Sequence, residues 1–214
     1  MLLSYKEFLK NAKIILGSQS KGRQGLLKMV DLFKFEVFPS TFEENLDKQI
    51  DPLTYVQKTC EGKVINLLET FKQNNQQWDI CIFADTVCEI NGKIIEKPNT
   101  KEDAYNFLKL FSNSLHLVHT CVYVVGKNEK NQIFQLNGVE TTEVHFQCLP
   151  EKSIQIYVED ESNWKGRAGG YAIQALGNMF IKKINGDYSN VIGLPLPVLD
   201  KLMSEIIELL LKKD

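Results

Sequence analysis

Residues 80–98 read ICIFADTVCEINGKIIEKP. Ile80, Cys81, Ile82 and Phe83 are an apolar run that leads into Ala84, Asp85 and Thr86. This pattern predicts a strand ending at a carboxylate and a hydroxyl, and open α/β sheets collect ligands outside the carboxyl ends of their strands. Residues 87–90 and 93–95 flank Asn91-Gly92, which tolerates the positive φ angles of a two-residue turn, so a hairpin is expected there. That hairpin would bring Lys97 back to face the same pocket as Asp85. Residue types alone leave the alternative open, with Asp85 a strand-end cap and Lys97 a solvated lysine.

The 214 residues are 43% apolar and 24% charged, with a net charge of -2. A chain of this length can bury roughly 70% of its unfolded surface, enough for one large domain or two lobes. The composition argues against disorder, and the charge gives no basic footprint for a nucleic-acid polymer; a locally basic site for an anionic ligand stays open. The five cysteines are scattered at 60, 81, 88, 121 and 148 without a Cys-x-x-Cys pair, which suits buried thiols in a reducing compartment. Residues 1–12 read as a short amphipathic helical extension ahead of a domain over 13–214, without the apolar core of a leader. No run approaches the roughly 18 apolar residues of a membrane span, and a cytoplasmic protein is expected.

Residues 13–16 form a short apolar strand that breaks at Gly17-Ser18-Gln19-Ser20-Lys21-Gly22-Arg23, before a helix carrying Leu26, Leu27 and Val30. Strand, hydroxylated loop and helix place amides at an anion. Ser18 and Ser20 can donate to phosphate oxygens and Arg23 can fork two bonds to them, although Ser20 could simply cap the helix. The Gly-Lys-Ser/Thr end of a P-loop is missing. Residues 35–38 predict a second strand ahead of Glu43-Glu44, acids that could hold a divalent metal or open a loop. Asp51-Pro52 begins a long helix to about Phe71, with Tyr55, Thr59, Val64, Leu67 and Leu68 on its apolar side. Lys63, within it, reads as a solvated residue.

The amide run at 73–77 reads as a loop, and Thr100 with Asp103 caps the next helix. Residues 115–125 are extended, so His116 and His119 point to opposite faces and cannot chelate one metal. Residues 132–136 and 139–148 predict a hairpin across Asn137-Gly138, and a short helix follows Pro150. Residues 164–174, WKGRAGGYAIQ, hold glycines at a density that lets backbone approach a ligand closely or leaves a loop mobile. A last strand at 180–184, a turn at Asn185-Gly186 and an amphipathic helix at 197–212 close the chain. The alternation of βα units and hairpins predicts one α/β domain: a long mixed sheet flanked by helices, with two lobes around a cleft.

Together these stretches resemble the Maf family of nucleoside triphosphate pyrophosphatases over residues 13–196. The family's Ser-x-Ser-x-x-Arg and leucine pair appear as Ser18, Ser20, Arg23, Leu26 and Leu27. Its functional glutamate matches Glu44, its helix lysine Lys63, its Ala-Asp-Thr signature residues 84–86 and its Gly-Lys-Pro segment Glu96-Lys97-Pro98. Its Ala-Gly-x-Tyr-x-Ile-Gln matches residues 168–174, and its closing Tyr-x-Asn-Val-x-Gly-Leu-Pro-Leu matches 188–196. Gly22 stands where many members carry a first arginine, and Cys121, Asn163 and Ala175 also depart.

The resemblance implies the Maf and inosine triphosphate pyrophosphatase fold, a homodimer, and hydrolysis of a nucleoside triphosphate to monophosphate and pyrophosphate with Mg²⁺, Mn²⁺ or Co²⁺. It implies Asp85, Glu44, Lys63 and Lys97 as catalytic residues, with Glu44 and Asp85 as metal ligands. Ser18, Ser20 and Arg23 would hold phosphates, while Thr86 and Gln174 would read the base. The form of the 168–174 segment resembles members acting on dTTP, UTP and modified pyrimidine nucleotides. Two alternatives stay open: a non-hydrolytic nucleotide-binding regulator of division, and a house-cleaning hydrolase for noncanonical or methylated purine nucleotides.

Overall fold

The computed structural model describes residues 1–44 and 46–212. Its central strand, β3 (Ile80–Ile90), is longer than the sequence pattern suggests: the expected strand end at Asp85 lies at mid-strand. The reason is its partner. The 13-residue β5 (Leu115–Lys127) pairs antiparallel with β3 from Ile80↔Gly126 to Glu89↔Leu117, so the ladder carries β3 straight through the polar residues. On the opposite edge the support is broken. Parallel β1 (Ile14–Leu16) pairs up to Ile82, and antiparallel β4 (Lys93–Ile95) returns through the expected turn at Asn91-Gly92 to pair from Cys88 onward. Between them, among the described residues, 83–87 meet no strand on that edge. The crevice therefore opens at a gap in the side of the sheet.

The full order is β2–β1–β3–β5–β6–β7, with β4 also on β3; β2 is Phe35–Val37, β6 Ile133–Phe146 and β7 Ile181–Asn185. The hairpin expected across Asn137-Gly138 does not form. β6 runs unbroken through it, pairing Asn137 with Tyr123 and Gly138 with Val122, and the chain reverses earlier, at Asn128–Asn131. Glycine serves a different purpose there. Helix α7 (Leu196–Leu211) lies so close to the sheet that a Cβ at Gly138 would come within 2.9 Å of Val198, and one at Gly126 within 2.5 Å of Ile206.

Two faces follow from the period-2 alternation of strand side chains. One face of β3 and β5 carries Cys81, Phe83, Val87, Cys121, Tyr123 and Val125, covered by α3 (Pro52–Gln73). Asp51 caps α3 by accepting from the Thr54 amide at 2.9 Å. The other face has two separate apolar clusters. At one end α2 (Lys21–Val30) and α7 pack on Ile80, Ile82, Val122 and Val124; at the other, α4 (Lys101–Phe111) and α5 (Glu151–Glu159) pack around Cys88, Ile90, Val118 and Val144. These are the two lobes. Thr86, Thr120 and Thr142 form a buried or half-buried polar belt between them.

The remaining expectations can be placed. Thr100 and Asp103 form a reciprocal capping box on α4. The N-terminal turn and α1 (Lys6–Asn11) are tied to α7: the Leu2 amide donates to Asp200 at 2.8 Å and the Tyr5 hydroxyl to Glu208 at 2.7 Å. His116 and His119 point to opposite faces, packing against Tyr171 and Glu89 respectively. Four of the five free cysteines are buried as expected, but Cys148 is exposed in the loop after β6. No helix among the described residues is long and apolar enough to cross a membrane.

Gly126→Ala should force Ile206 away from β5 and lower the unfolding free energy by about 1–3 kcal/mol, read by urea denaturation. An unchanged midpoint would show that α7 rides over the sheet without being seated on it.

Candidate active site

The gap on the edge of β3 opens into a cleft of about 880 Å³, within the range of about 300–1,000 Å³ that suits a small ligand. Asp85, only 4% exposed, projects toward α3 and meets Lys63 there at 2.5 Å from Oδ1. The lysine is not solvated: its side chain is 12% exposed and its Nζ also holds Glu44 Oε1 at 2.7 Å. The second oxygen of Glu44 lies 3.5 Å from Lys97 Nζ, which arrives by the β3–β4 hairpin. Two carboxylates and two ammoniums from four separate segments thus alternate along one line, while Asp85 Oδ2 takes no protein hydrogen bond among the described residues.

Burial works against the charged form of Lys63, but Asp85 and Glu44 outweigh it and hold its pKa above the ordinary lysine value of 10.5. For Glu44, burial raises the pKa and the charges of Lys63 and Lys97 overcome it, leaving it below the usual 4.5. The signs define a window. Glu44 contributes stability above pH 4.5 that is lost as pH falls through its folded value, and Lys63 contributes stability below pH 10.5 that is lost as pH rises through its own.

Glu44 stands in a loop, and α3 holds that loop by one face. Asn66 Oδ1 accepts from Ser40 Oγ at 2.8 Å and from the Thr41 amide at 3.0 Å, and the Phe42 ring lies over Gly62, where a Cβ would fall within 2.3 Å of it. Beyond Glu44, Lys48 pairs with Glu96 at 2.5 Å, and Glu96 also accepts from the Tyr55 hydroxyl. Sequence reading missed these supports, although Asn66 falls one helical turn after Lys63 and thus on the same face.

Arg23 is 8% exposed and turned inward. Its Nη1 donates to Ser18 Oγ at 2.9 Å, Nη2 to Thr86 Oγ1 at 2.9 Å and Nε to the Gly193 carbonyl at 2.7 Å. The fork expected for phosphate is therefore spent largely on protein. Burial lowers its pKa and the charge of Asp85 opposes that; a guanidinium stays charged regardless. Ser20 caps α2, its Oγ accepting from the Arg23 amide at 3.4 Å, and still lines the cleft with Ser18. The Thr86 hydroxyl lies 2.9 Å from that of Thr120, which donates on to the Asn190 carbonyl at 3.3 Å. Thr86 is thus a member of the belt as well as of the cleft wall. Gln174 is exposed in the cleft, and its carboxamide takes no protein hydrogen bond among the described residues.

A family model described as Maf-like protein matches residues 13–206. The chain belongs to that family. It is 35% identical over 195 residues to a dTTP/UTP pyrophosphatase of Clostridium novyi (strain NT), covering 91% of this chain and 97% of the relative. A dTTP/UTP pyrophosphatase of Pyrococcus furiosus is 35% identical over 191 residues, covering 89% and 94%. A human relative, a probable bifunctional dTTP/UTP pyrophosphatase/methyltransferase protein, is 36% identical over 194 residues; the match covers 88% of this chain and 31% of the longer human one.

In this Maf-like protein the buried Asp85 depends on Lys63 for compensation. Lys63→Met should lower the unfolding free energy at pH 7 by about 3 kcal/mol, because a charge left alone in the interior is costly. Adding Asp85→Asn should return part of that loss. Strictly additive losses in the double variant would show that the two side chains are not coupled.

Proposed function

We propose that this Maf-like protein hydrolyses nucleoside triphosphates to the monophosphate and pyrophosphate, acting on dTTP, UTP and modified pyrimidine nucleotides and so clearing the nucleotide pool. The observation that carries this reading is the line Asp85–Lys63–Glu44–Lys97 at the mouth of a cleft that also presents the unengaged amide of Gln174. One end suits a polyphosphate and the other a base edge, and the dTTP/UTP pyrophosphatase names of the relatives agree with that pairing.

The residues divide the work by position. Water adds to the α-phosphorus, forming a P–O bond as the bond to the bridging α–β oxygen breaks and pyrophosphate leaves. Lys63 fixes Asp85 through Oδ1, and the open Oδ2 has two alternative uses, as the base that takes the proton released by that water or as a cation ligand that leaves the proton to solvent. Lys63 and the half-exposed Lys97 face the charge that develops on the phosphates and the leaving group, with Ser18, Ser20 and the start of α2 holding phosphate oxygens. Arg23 adds a fixed charge beneath them and orients the Ser18 hydroxyl. Gln174 offers a donor and an acceptor to a pyrimidine edge, and Thr86 closes the floor.

A hard divalent cation fits this donor set. Mg²⁺ takes one or two carboxylates and completes its shell with substrate phosphates and water, and Glu44 and Asp85 are two carboxylates that converge within bonding distance of one ammonium. Mg²⁺, Mn²⁺ or Co²⁺ held by them would supply charge neutralisation for the triphosphate. Five free cysteines suit a reducing cytoplasm, and we read the working form as a homodimer, for which light scattering should give a mass of twice 24.5 kDa.

The reaction is tested by measuring pyrophosphate release from dTTP, UTP, ITP and 7-methyl-GTP with each cation. Wild type should favour the pyrimidine nucleotides, and Asp85→Asn should lower kcat at least 100-fold. No release by wild type from any nucleotide while nucleotide still binds would end the hydrolase reading; faster turnover of ITP or 7-methyl-GTP would end the pyrimidine preference.

A further inference from the structure

His116 lies under the cleft without lining it. Its ring stacks on Phe111 at 4.0 Å between centroids, meets Phe146 edge-on at 5.0 Å and is 1% exposed. A phenylalanine would stack there equally well. What the histidine adds is a nitrogen: Nε2 lies 2.8 Å from the hydroxyl of Tyr171, whose ring closes this aromatic cluster on the cleft side. A buried hydroxyl without a partner is costly, so the two side chains form one unit. Burial holds the His116 pKa down to about 3, so the ring is neutral at working pH.

The other ring nitrogen, Nδ1, is buried without a partner among the described residues. The bond to Tyr171 joins the same two atoms whether the Tyr171 hydroxyl donates to Nε2 or an Nε2–H donates to the hydroxyl oxygen.

Tyr171 needs such an anchor because of where it stands. The segment before it has left-handed backbone at Gly166, Gly169 and Gly170, with φ of +73°, +69° and +75°, and no strand ladder fixes its register. Three residues further on, the same segment presents Gln174 to the cleft. Tyr171, Cys88 and Val118 all line the cleft and belong to one apolar cluster, and Cys88 and Val118 are fixed in the β3–β5 ladder.

We propose that His116 is a positioning residue for base selection: by holding the Tyr171 hydroxyl it fixes the wall of residues 168–174 over Cys88 and Val118, at a depth that admits a pyrimidine and excludes a purine. This rests on the pyrimidine reading of the site. The test compares kcat and KM for UTP and ITP in wild type, Tyr171→Phe, His116→Phe, their double variant and His116→Gln, with thermal melts of each.

Tyr171→Phe and His116→Phe should each lower the UTP-over-ITP ratio of kcat/KM about tenfold, mainly through KM, and the double variant should lose no more than either alone. His116→Gln, which keeps a side-chain donor and acceptor, should restore part of the ratio. Unchanged ratios in both single phenylalanine variants, with or without a lower Tm, would overturn the inference while leaving the pyrimidine reading intact. A wild type that does not favour UTP would overturn both.

Discussion

A guanidinium taken out of water must have its donors satisfied, and in this protein that requirement ties the lobes together. Arg23 reaches from α2 to the loop after β1, to β3 and to the carbonyl of Gly193 at the end of α6 (Tyr188–Ile192). From Thr86 the chain of hydrogen bonds passes to Thr120 on β5 and to Asn190, whose amide spans the Val118 carbonyl and Thr142 on β6. Three strands and two helices are thereby fixed relative to one another by polar contacts where the two apolar clusters part. A hydrocarbon belt there would merge the two clusters and leave no cleft between them.

Charge is arranged differently on the α3 face. There no strand among the described residues pairs with Asp85 on one edge, and its side chain meets a lysine from the covering helix. The same ammonium recruits Glu44, so a rigid sheet residue and a loop residue share one cation. Alternating signs keep the group compact. They also leave it close to neutral, consistent with a site that must accept both a multiply charged anion and a cation without storing large repulsion.

Much of this was legible in the sequence, and the failures have physical causes. Short motifs with strong local chemistry could be placed because their structure is local: Asn91-Gly92, the Thr100 box, the Asp51 cap. Asp85 and Asn137-Gly138 were misplaced for one reason. Each lies in a strand that the long antiparallel partner β5 carries past a polar or glycine signal, and the length of that partner is non-local information. Lys63 looked like a solvated residue because the carboxylates that bury it are 19 and 22 positions away. The inward turn of Arg23 was hidden for the same reason, since its acceptor at Gly193 lies 170 residues on. The family resemblance picked out the residues that meet at the cleft, while their partners came only from the fold.

The loop that carries Glu44 is held to α3 by Asn66, by the Phe42 ring over Gly62 and by the Glu44–Lys63 pair, and to the end of the β3–β4 hairpin by Lys48–Glu96. No strand or helix runs through it, and Leu46 and Ile50 pack only at the margin of the cluster under α3. Fold and catalytic readiness are therefore separable properties: the chain can be fully native while its second carboxylate is undocked, and warming should silence the site through local release before any strand parts. Catalysis and global unfolding would then obey two different temperature scales within one domain.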